Sequence, residues 1–421
     1  MLAKAPKGTK DIMPDQIYKW QYVERKFKEQ AERYGFKEIR TPMFEHTELF
    51  KRGVGDTSDV VQKEMFTFED RGRRDLALKP EGTASVARAF LEHNQYAEVQ
   101  PAKYFYITPC YRDEQPQAGR QKEFHQFGVE CFGAKGMLAD LEIISVGYDF
   151  LRSLGITEFE LRINSVGCPK CREEYKKALQ DYYRPYFDAL CDTCKERFYR
   201  NPMRLIDCKS PEDHAFAVNA PSILDYLCED CRNAFEDLKA GLDTAGIPYV
   251  VDPTIVRGLD YYTKTAFEFV TDKIGAQSTI CGGGRYDNLI SEIGGMDVPG
   301  VGFGLGIERL LLLLDSAGIE IPEDPGMDAL IIFMGPAARS KAIQIAGALR
   351  RKGLRADLDS LERNLKGQLK YADRKGYRCA VIIGDNELAS GRCQVKNLLE
   401  STQESVAFDE LSDAIRKSIR K

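Results

Sequence analysis

Long hydrophobic runs are missing from this 421-residue sequence. No stretch of about 18 or more apolar residues is present, so the sequence predicts no membrane-spanning helix. The first residues, MLAKAPKGTKDIMPD, lack the apolar core of a secretory signal peptide. With 43% hydrophobic and 30% charged residues, the composition is that of an ordinary globular protein in water. We therefore expect a cytoplasmic protein that makes no membrane contact.

Two common nucleotide-binding signatures are also absent. The pattern G-x-x-x-x-G-K-[ST] occurs nowhere in the sequence, which excludes a P-loop. The segment GFGLGIER lacks the third glycine of a dinucleotide fingerprint and opens no evident βαβ unit. Internal repeats and low-complexity tracts are lacking as well. If this protein binds ATP, it does so with another architecture.

The pattern of helices and strands changes at a cluster of Pro and Gly in residues 322–326. The length predicts two or three domains. Before the cluster, KYFYITPCYRDE and FHQFGVECFG predict two long antiparallel strands joined by a polar loop. After it, strand and helix alternate, which predicts a compact α/β domain with at least some parallel pairing.

Charge is distributed unevenly between these two parts. From Gly326 onward the chain has 18 Lys and Arg against 12 Asp and Glu, a net charge of +6, whereas residues 1–325 carry −11. A basic domain joined to an acidic body is typical of nucleic-acid contact. The alternative is an ordinary solvated surface, because Lys and Arg also cover the exposed faces of helices.

Cysteines are concentrated in one region. Seven of the twelve lie within residues 168–231, and they comprise three C-x-x-C pairs and a lone cysteine: Cys168/Cys171, Cys191/Cys194, Cys228/Cys231 and Cys208. Two thiolates three residues apart can hold one tetrahedral zinc ion, and two such pairs complete a site. We expect a structural zinc in residues 168–245, a mainly helical insertion. The alternative is a set of buried thiols on helix faces.

Residues 257–267, RGLDYYTKTAF, combine a permanent cation with two phenols. Arg257 can hold a carboxylate or phosphate through paired hydrogen bonds, and the glycine after it lets the backbone bend. Tyr261 and Tyr262 occupy a strand-like stretch, where successive side chains point to opposite faces. A purely structural role is the alternative, since tyrosine favours strands.

The predicted hairpin loop, EQPQAGRQKE, and the residues beside it carry charged and aromatic side chains. Arg112 and Glu114 precede the turn, and Arg120 and Phe124 follow it. An arginine suits the phosphates of a nucleotide and an aromatic face suits its base. Solvated charges in an ordinary hairpin are the alternative.

Along the second strand of this hairpin, alternation places Gln126, Gly128 and Glu130 on one face. These residues form a polar strip with room for a ligand. Glycines at 282–284 and in residues 302–306 allow a similar close approach of backbone to a ligand. Arg309 follows in the first turn of a helix, where the helix dipole already favours anions.

Five segments, taken in order, resemble the histidyl-tRNA synthetase family, class II aminoacyl-tRNA synthetases of the bacterial type. FKEIRTPMFE resembles motif 1, YRDEQPQAGRQKEFHQFGVE resembles motif 2, and GVGFGLGIERL resembles motif 3. RGLDYYTKTAFE and CGGGRYDNL resemble the two histidine-specific signatures. The resemblance extends over essentially the whole chain, and the five motifs together are far more specific than any one.

The resemblance implies a fold, an activity and partners. The fold is an α+β class II catalytic domain with an antiparallel sheet over residues 1–325, containing the insertion, and an α/β anticodon-binding domain over residues 327–421. The activity is ATP-dependent attachment of L-histidine to tRNA(His) through a histidyl-adenylate. Mg²⁺ comes with the ATP, and motif 1 builds a homodimer through the catalytic domain. Zinc is not generally required in the family.

Residue roles also follow from the resemblance, at matching positions. Glu81 and Thr83 hold the α-amino group of histidine, with Gln126 near its other backbone atoms. Glu130 and Tyr262 contact the imidazole nitrogens, and Tyr261 lines the same pocket.

For ATP, the resemblance places Arg112 and Arg309 on the α- and γ-phosphates. The residues expected around the adenine and triphosphate are Glu114, Arg120 and Phe124. Arg257 lies against the α-phosphate, where related enzymes place a metal ion, so Arg257, Arg112 and Arg309 are the expected catalytic residues. Arg112 and Arg257 also face the bound histidine, and Gln117 approaches the tRNA acceptor end.

Two other functions use the same scaffold. The synthetase-like regulatory subunit of ATP phosphoribosyltransferase usually lacks the anticodon domain and the histidine signatures, and this sequence retains both. A sensor of uncharged tRNA is normally fused to a signalling segment, and the sequence contains none. Aminoacylation is therefore the expected function.

Overall fold

The computed structural model describes residues 4–55, 58, 60–117, 119–208, 210–256, 259–274, 279–324 and 326–419. The chain divides into two compact units, Met1–Pro322 and Glu323–Lys421. Within the described ranges, no helix is long and apolar enough to cross a membrane.

The first half of the first unit contains, in chain order, α1 (Pro14–Arg33), β1 (Lys37–Glu38), β2 (Phe44–His46), α2 (Thr47–Val54), β3 (Thr67–Glu69), β4 (Asp75–Leu78), α3 (Thr83–Glu92), β5 (Ala102–Tyr111), β6 (Glu123–Phe132) and α4 (Leu138–Ser153). The second half contains β7 (Glu160–Ser165), α5 (Pro169–Tyr183), α6 (Asp192–Arg200), α7 (Pro211–Ala217), α8 (Glu229–Ala245), β8 (Val250–Val251), β9 (Thr263–Val270), β10 (Thr279–Arg285), α9 (Leu289–Glu292), β11 (Gly300–Gly306) and α10 (Ile307–Ser316).

An antiparallel sheet forms the centre of the first unit. Its strand order within the described residues is β1-β5-β6-β11-β10-β9-β7-β8. The inner neighbours are antiparallel, and only the edge pairs β1/β5 and β7/β8 are parallel. A small antiparallel sheet, β2-β4-β3, lies apart from it. The predicted antiparallel sheet is confirmed.

The large sheet has one apolar face and one face that carries polar groups. In β6, Phe127 and Val129 are fully buried in a core that also contains residues of α1, α4 and α10. In β11, Phe303 and Leu305 join the same core, whereas the alternate positions are glycines. The period of two along each strand therefore separates the core from the face that bears Gln126 and Glu130.

The segment FKEIRTPMFE is divided between the two sheets and is not a single strand. Only Lys37–Glu38 pairs with β5, and Phe44–His46 pairs with β4 in the other sheet. Proline has no backbone N–H to donate to a ladder, so the chain leaves the large sheet before Pro42 and re-pairs after it.

Residues 168–245 fold mainly as helices α5 to α8, joined by short 3₁₀ segments. Aromatic and aliphatic side chains of this insertion pack in one cluster with Val86 and Phe90 of α3 and with Tyr106, Tyr262 and Tyr286. The insertion therefore covers the polar face of the large sheet near the tyrosines.

The second unit contains β12 (Ala329–Phe333), α11 (Pro336–Arg351), β13 (Ala356–Leu358), α12 (Leu365–Arg374), β14 (Cys379–Ile383), α13 (Asp385–Ser390), β15 (Arg392–Asn397), β16 (Gln403–Ala407) and α14 (Leu411–Ile419). Its sheet has the order β13-β12-β14-β15-β16, and β12 is parallel to both neighbours. The predicted parallel pairing is confirmed, and β15 and β16 extend the sheet in antiparallel fashion.

Candidate functional site

A buried carboxylate marks the start of α3. Glu81 accepts hydrogen bonds from the backbone N–H groups of Thr83 (2.7 Å) and Ala84 (2.7 Å), which closes the first helical turn. Burial raises the pKa of Glu81, while these N–H groups and the nearby Arg112 guanidinium lower it. Each carboxylate oxygen keeps a second lone pair that can accept from a ligand.

Glu130 lies at the centre of the polar face and is fully buried. Its Oε1 accepts from the hydroxyls of Thr83 (2.7 Å) and Tyr106 (3.1 Å), and its Oε2 accepts from the hydroxyl of Tyr286. Gln126 lies beside it on β6, and its Oε1 accepts from the backbone N–H of Gly82 (3.0 Å). The structure therefore brings Thr83, Gln126 and Glu130 together, as predicted.

The environment of Glu130 strongly favours its neutral form. Burial and the neighbouring Glu81 carboxylate raise the pKa of Glu130 to about 8, although the three hydroxyl donors act in the opposite direction. Two buried carboxyl groups in one pocket suit a ligand that brings positive charge or hydrogen-bond donors.

The glycines of this face serve a purpose different from the predicted one. A Cβ at Gly128 would lie 2.1 Å from the Tyr106 ring, and one at Gly302 would lie 2.0 Å from Glu130 Oε2. We predicted that the space above Gly128 and the glycine runs was open for a ligand. Side chains of the protein fill it instead, because only a strand without Cβ atoms lets Glu130 and Tyr106 lie flat across the sheet.

Tyr261 and Tyr262 are both buried, and their rings lie 4.7 Å apart. Tyr286 packs against them at 5.4 Å and 6.4 Å. The prediction that both tyrosines lie on a strand is wrong: β9 begins at Thr263, and Tyr261 closes a turn before it. Strand alternation therefore does not apply to these two residues. Both rings pack against Tyr286, whose hydroxyl donates to Glu130, so they lie in the same pocket as Glu130.

A second group of predicted residues clusters around the hairpin loop. The Nε atom of Arg112 donates to the carbonyl of Pro80 (2.9 Å), and its guanidinium lies 5.3 Å from the centre of the Phe124 ring. Arg120 and Glu114 form an ion pair of 3.0 Å across the loop. These contacts fix Arg112 between Phe124 and the Glu81 turn.

Arg309 lies in the first turn of α10, next to the same loop. A Cβ at Gly119 would lie 3.1 Å from Arg309 Cγ, so the loop packs directly on this side chain. Burial lowers the pKa of Arg309, and the neighbouring Arg120 lowers it further, whereas Glu114 raises it. The structure thus brings two like-charged guanidinium groups together, an arrangement that suits a polyanionic ligand.

The structure describes one of the two remaining predicted residues. Gln117 is exposed in the loop turn, where its backbone N–H and carbonyl bond to those of Arg120. Arg257 lies outside the described residues.

Sequence reasoning missed Tyr106 and Tyr286 as members of the site. Tyr286 lies in the quoted segment CGGGRYDNL, and Tyr106 lies in β5, within the quoted segment KYFYITPCYRDE. Tyrosine favours strands, so neither residue carries a local signal. The glycines opposite them carried the usable signal, because a strand glycine implies that another group approaches closely.

The insertion cysteines form two clusters in place of one. The first, which we name the four-cysteine cluster, consists of Cys168, Cys171, Cys228 and Cys231. The second, the three-cysteine cluster, consists of Cys191, Cys194, Cys208 and Asp213. In each, the potential ligand atoms lie within 4.8 Å of one another. Two of the three predicted pairs therefore lie together, whereas Cys191 and Cys194 lie with Cys208 and a carboxylate, apart from the other two pairs.

Comparison with known proteins identifies the relatives of both units. The family model described as "Histidyl-tRNA synthetase" matches residues 8–310, and the model described as "Anticodon binding domain" matches residues 328–418. The histidine–tRNA ligase of Caldanaerobacter subterraneus subsp. tengcongensis is 55% identical over 416 residues, which cover 99% of this chain and 100% of the relative.

Solved structures agree with these matches. The structure of apo S. aureus histidyl-tRNA synthetase is 39% identical, covers 99% of this chain and 100% of its own, and superposes with a TM-score of 0.84. A Bacillus halodurans C structure, titled as an ATP phosphoribosyltransferase regulatory subunit/histidyl-tRNA synthetase, is 23% identical with a TM-score of 0.65 over 91% of this chain and 99% of its own; it shows a shared fold alone. The motif-based expectation is confirmed: the chain belongs to the histidyl-tRNA synthetase family.

Proposed function

We propose that this protein attaches L-histidine to tRNA(His) in two steps. In the first, a carboxylate oxygen of histidine attacks the α-phosphorus of ATP in line, which forms histidyl-adenylate and releases diphosphate. In the second, a hydroxyl of the terminal adenosine of tRNA attacks the histidyl carbonyl carbon, and AMP leaves. The observation that carries the proposal is the buried Glu130 carboxyl group beside Glu81 and three packed tyrosines.

The histidine pocket is proposed to use these groups according to their chemistry. The carboxylate of Glu81 and the hydroxyl of Thr83 take the α-amino group, and Gln126 lies near the remaining backbone atoms of the substrate. Glu130 and Tyr262 take the two imidazole nitrogens. A buried site that satisfies both nitrogens leaves polar groups unpaired with any amino acid that lacks them, so it selects strongly for histidine.

ATP is proposed to lie along the hairpin loop. The convergence of Arg112, Arg120 and Arg309 supplies positive charge for the triphosphate, and Phe124 offers an aromatic face for the adenine. Glu114 orients Arg120 through their ion pair. Mg²⁺ bound to the phosphates neutralises part of their charge.

Recognition of tRNA is proposed for two separate regions. The second unit matches the anticodon-binding family model and is basic, with a net charge of +6 from Gly326 onward. Gln117, exposed in the loop turn next to the proposed ATP site, is proposed to approach the acceptor end. The regulatory-subunit and tRNA-sensor alternatives are less well supported, because the full-length relative described above is a histidine–tRNA ligase.

Exchange of radiolabelled diphosphate into ATP tests the first step. We expect exchange that depends on L-histidine and is absent with other amino acids, followed by transfer of histidine to tRNA(His). A protein of the regulatory-subunit or sensor type would show neither reaction. Binding of histidine without exchange would therefore contradict the proposal.

We also propose a homodimer formed through the first unit. Met43 and Phe44 of the motif 1 segment are about half exposed, and Phe68 on the same small sheet packs 6.3 Å from Phe44. An exposed group of large apolar side chains is typical of an interface.

All twelve cysteines are free thiols, which supports a cytoplasmic location. Recovery of the protein outside the cytoplasmic fraction of cells would contradict that location.

Sedimentation equilibrium checks the dimer. We expect the wild-type protein to have about twice the 47.6 kDa mass of one chain, and Phe44→Glu to shift the mass toward one chain because a buried charge is costly. Leu399→Glu, at an exposed apolar residue of the second unit, is the matched control and should stay dimeric. A wild-type monomer at micromolar concentration would refute the proposal.

A further inference from the structure

Three helices of the insertion begin in the same way. Cys168, Cys191 and Cys228 are the N-cap residues of α5, α6 and α8, and each is followed three positions later by a second cysteine in the first turn. The positive end of a helix dipole stabilises thiolates at this position. The repeated placement therefore creates three preformed pairs of thiolate ligands.

The four-cysteine cluster joins the pairs of α5 and α8. Its Sγ atoms lie 3.6 Å apart for Cys168 and Cys171, and 3.9 Å apart for Cys168 and Cys228. Zn–S bonds of about 2.3 Å in tetrahedral geometry place sulfur atoms roughly 3.8 Å apart. Disulfide sulfurs lie only about 2.05 Å apart. The observed separations fit four ligands around one metal ion and do not fit a disulfide.

Backbone groups around this cluster are arranged as they are around bound metals. The N–H of Cys228 donates to Cys171 Sγ at 3.1 Å, a bond that orients a thiolate ligand. Gly167 has φ +66, and a Cβ there would lie 2.7 Å from the Cys171 Cβ. A glycine is thus required for the tight turn that leads into the cluster.

In the three-cysteine cluster, the cysteine pair of α6 lies with two further residues, Cys208 and Asp213, which no C-x-x-C pattern reveals. Cys191 Sγ lies 3.9 Å from Cys208 Sγ, and Cys208 Sγ lies 3.3 Å from Asp213 Oδ2. The Cys191 N–H donates to the Asp213 carboxylate at 3.1 Å, and the Ser210 N–H donates to Cys208 Sγ at 3.5 Å. Asp213 is only 1% exposed. A buried carboxylate among three thiols needs a compensating charge, and a bound cation supplies it.

Zinc suits both clusters better than other metals. Tetrahedral thiolate sites bind zinc or iron, whereas Mg²⁺ and Ca²⁺ require oxygen ligands. A set of three thiolates and one carboxylate lies within the ligand types that zinc accepts. We propose that the insertion holds two structural zinc ions, one in the four-cysteine cluster and one in the three-cysteine cluster.

The first zinc also stabilises the wall of the tyrosine pocket. Arg172, the residue after Cys171, donates from Nε to the carbonyl of Val166 (3.0 Å) and from Nη2 to the carbonyl of Tyr262. Zinc fixes the start of α5, and α5 in turn fixes the backbone of Tyr262 through Arg172.

Metal analysis of the full-length protein tests the proposal. Protein purified with a phosphine reductant, without chelators or added metal, should contain about two zinc ions per chain by plasma mass spectrometry. Cys231→Ser should lose one ion, Cys194→Ser should lose the other, and the double variant should lose both. Cys379→Ser, which removes a buried thiol of the second unit, is the matched control and should retain two. Asp213→Ala should lose the second ion, and Asp213→His, which supplies another ligand, should restore it.

A measurement on the unaltered protein covers the case in which a variant fails to fold. Titration with a mercurial that blocks thiols, followed by a zinc-sensitive dye, should release two zinc ions as seven thiols react. Wild-type protein with no zinc, with iron in its place, or with disulfides in these clusters would overturn the proposal. A wild-type content of one zinc ion per chain that Cys194→Ser leaves unchanged would overturn the second site. These outcomes concern metal binding alone, so none of them would contradict the proposed aminoacylation activity.

Discussion

We expect replacement of Arg257 with alanine to lower the maximal rate of histidine-dependent diphosphate exchange by about 10²–10³-fold, because the family resemblance implies that this side chain lies against the α-phosphate. A loss of that size is typical when one preorganised donor to transition-state charge is removed. The α-phosphorus gains negative charge on its equatorial oxygens as the histidine carboxylate approaches, and a guanidinium neutralises that charge without reorganising. The expected loss is in the rate at saturating histidine and ATP, because the interaction is strongest in the transition state.

One further variant separates charge from geometry at this position, and a second, at another position, is the control. Arg257→Lys keeps the positive charge but lacks the two-pronged donor, so we expect activity between those of the wild type and Arg257→Ala. Arg25→Ala removes an exposed arginine of α1 and should leave exchange unchanged. Circular dichroism and thermal unfolding should match the wild type for all three. Near-normal exchange by Arg257→Ala would show that Arg257 does not contact the reacting phosphate.

Long periodic segments could be predicted from the sequence because burial alone determines them. The hairpin of β5 and β6 and the strand-to-helix turn into α10 follow from alternation, glycine placement and helix periodicity. The family resemblance also located Thr83, Gln126 and Glu130, which the structure brings together. These predictions succeeded where local pattern and tertiary structure agree.

Other features depend on contacts that no local pattern encodes. The register of β9 shifts between its pairings with Gly284 and Arg285 of β10, and Lys264, with φ +48, occupies the irregular position. This bulge lies at the start of β9, directly after the two tyrosines. The pairing of Cys208 and Asp213 with Cys191 is another example, because it joins residues of two helices and the connection between them.

Substituting Glu130 with glutamine should lower kcat/KM for histidine by about 10–100-fold, while KM for ATP changes little. A hydrogen bond to a charged partner contributes about 1.5–3 kcal/mol, and an amide cannot provide the charge. The effect should appear mainly in the response to histidine concentration, since Glu130 lies in the tyrosine pocket and not along the hairpin loop. Exchange kinetics at varied histidine and fixed saturating ATP measure it. An unchanged KM for histidine would place the imidazole elsewhere.

The same substitution has a second consequence for the protein without ligand. The pKa of Glu130 is about 8 in the folded protein, against an ordinary value of 4.5. Between these values the folded state holds a proton that the unfolded state has released, so the free energy of unfolding must fall as pH rises through this window. From pH 5 to 8 the contribution of one such group is on the order of 3 kcal/mol.

Urea unfolding at several pH values isolates this contribution by difference. The glutamine in Glu130→Gln cannot ionise, and every other titrating group is common to both proteins. The free energy of unfolding of the wild type, minus that of the variant, should therefore decrease from pH 5 to 8. A constant offset is also expected, because the amide NH₂ meets hydroxyls that donated to the carboxyl group. A difference that does not vary with pH would mean that Glu130 is ionised in the folded protein. In that case the negative charge of Glu130 would be present before histidine binds. The exchange kinetics and the urea unfolding together therefore decide whether Glu130 ionises only when the imidazole binds.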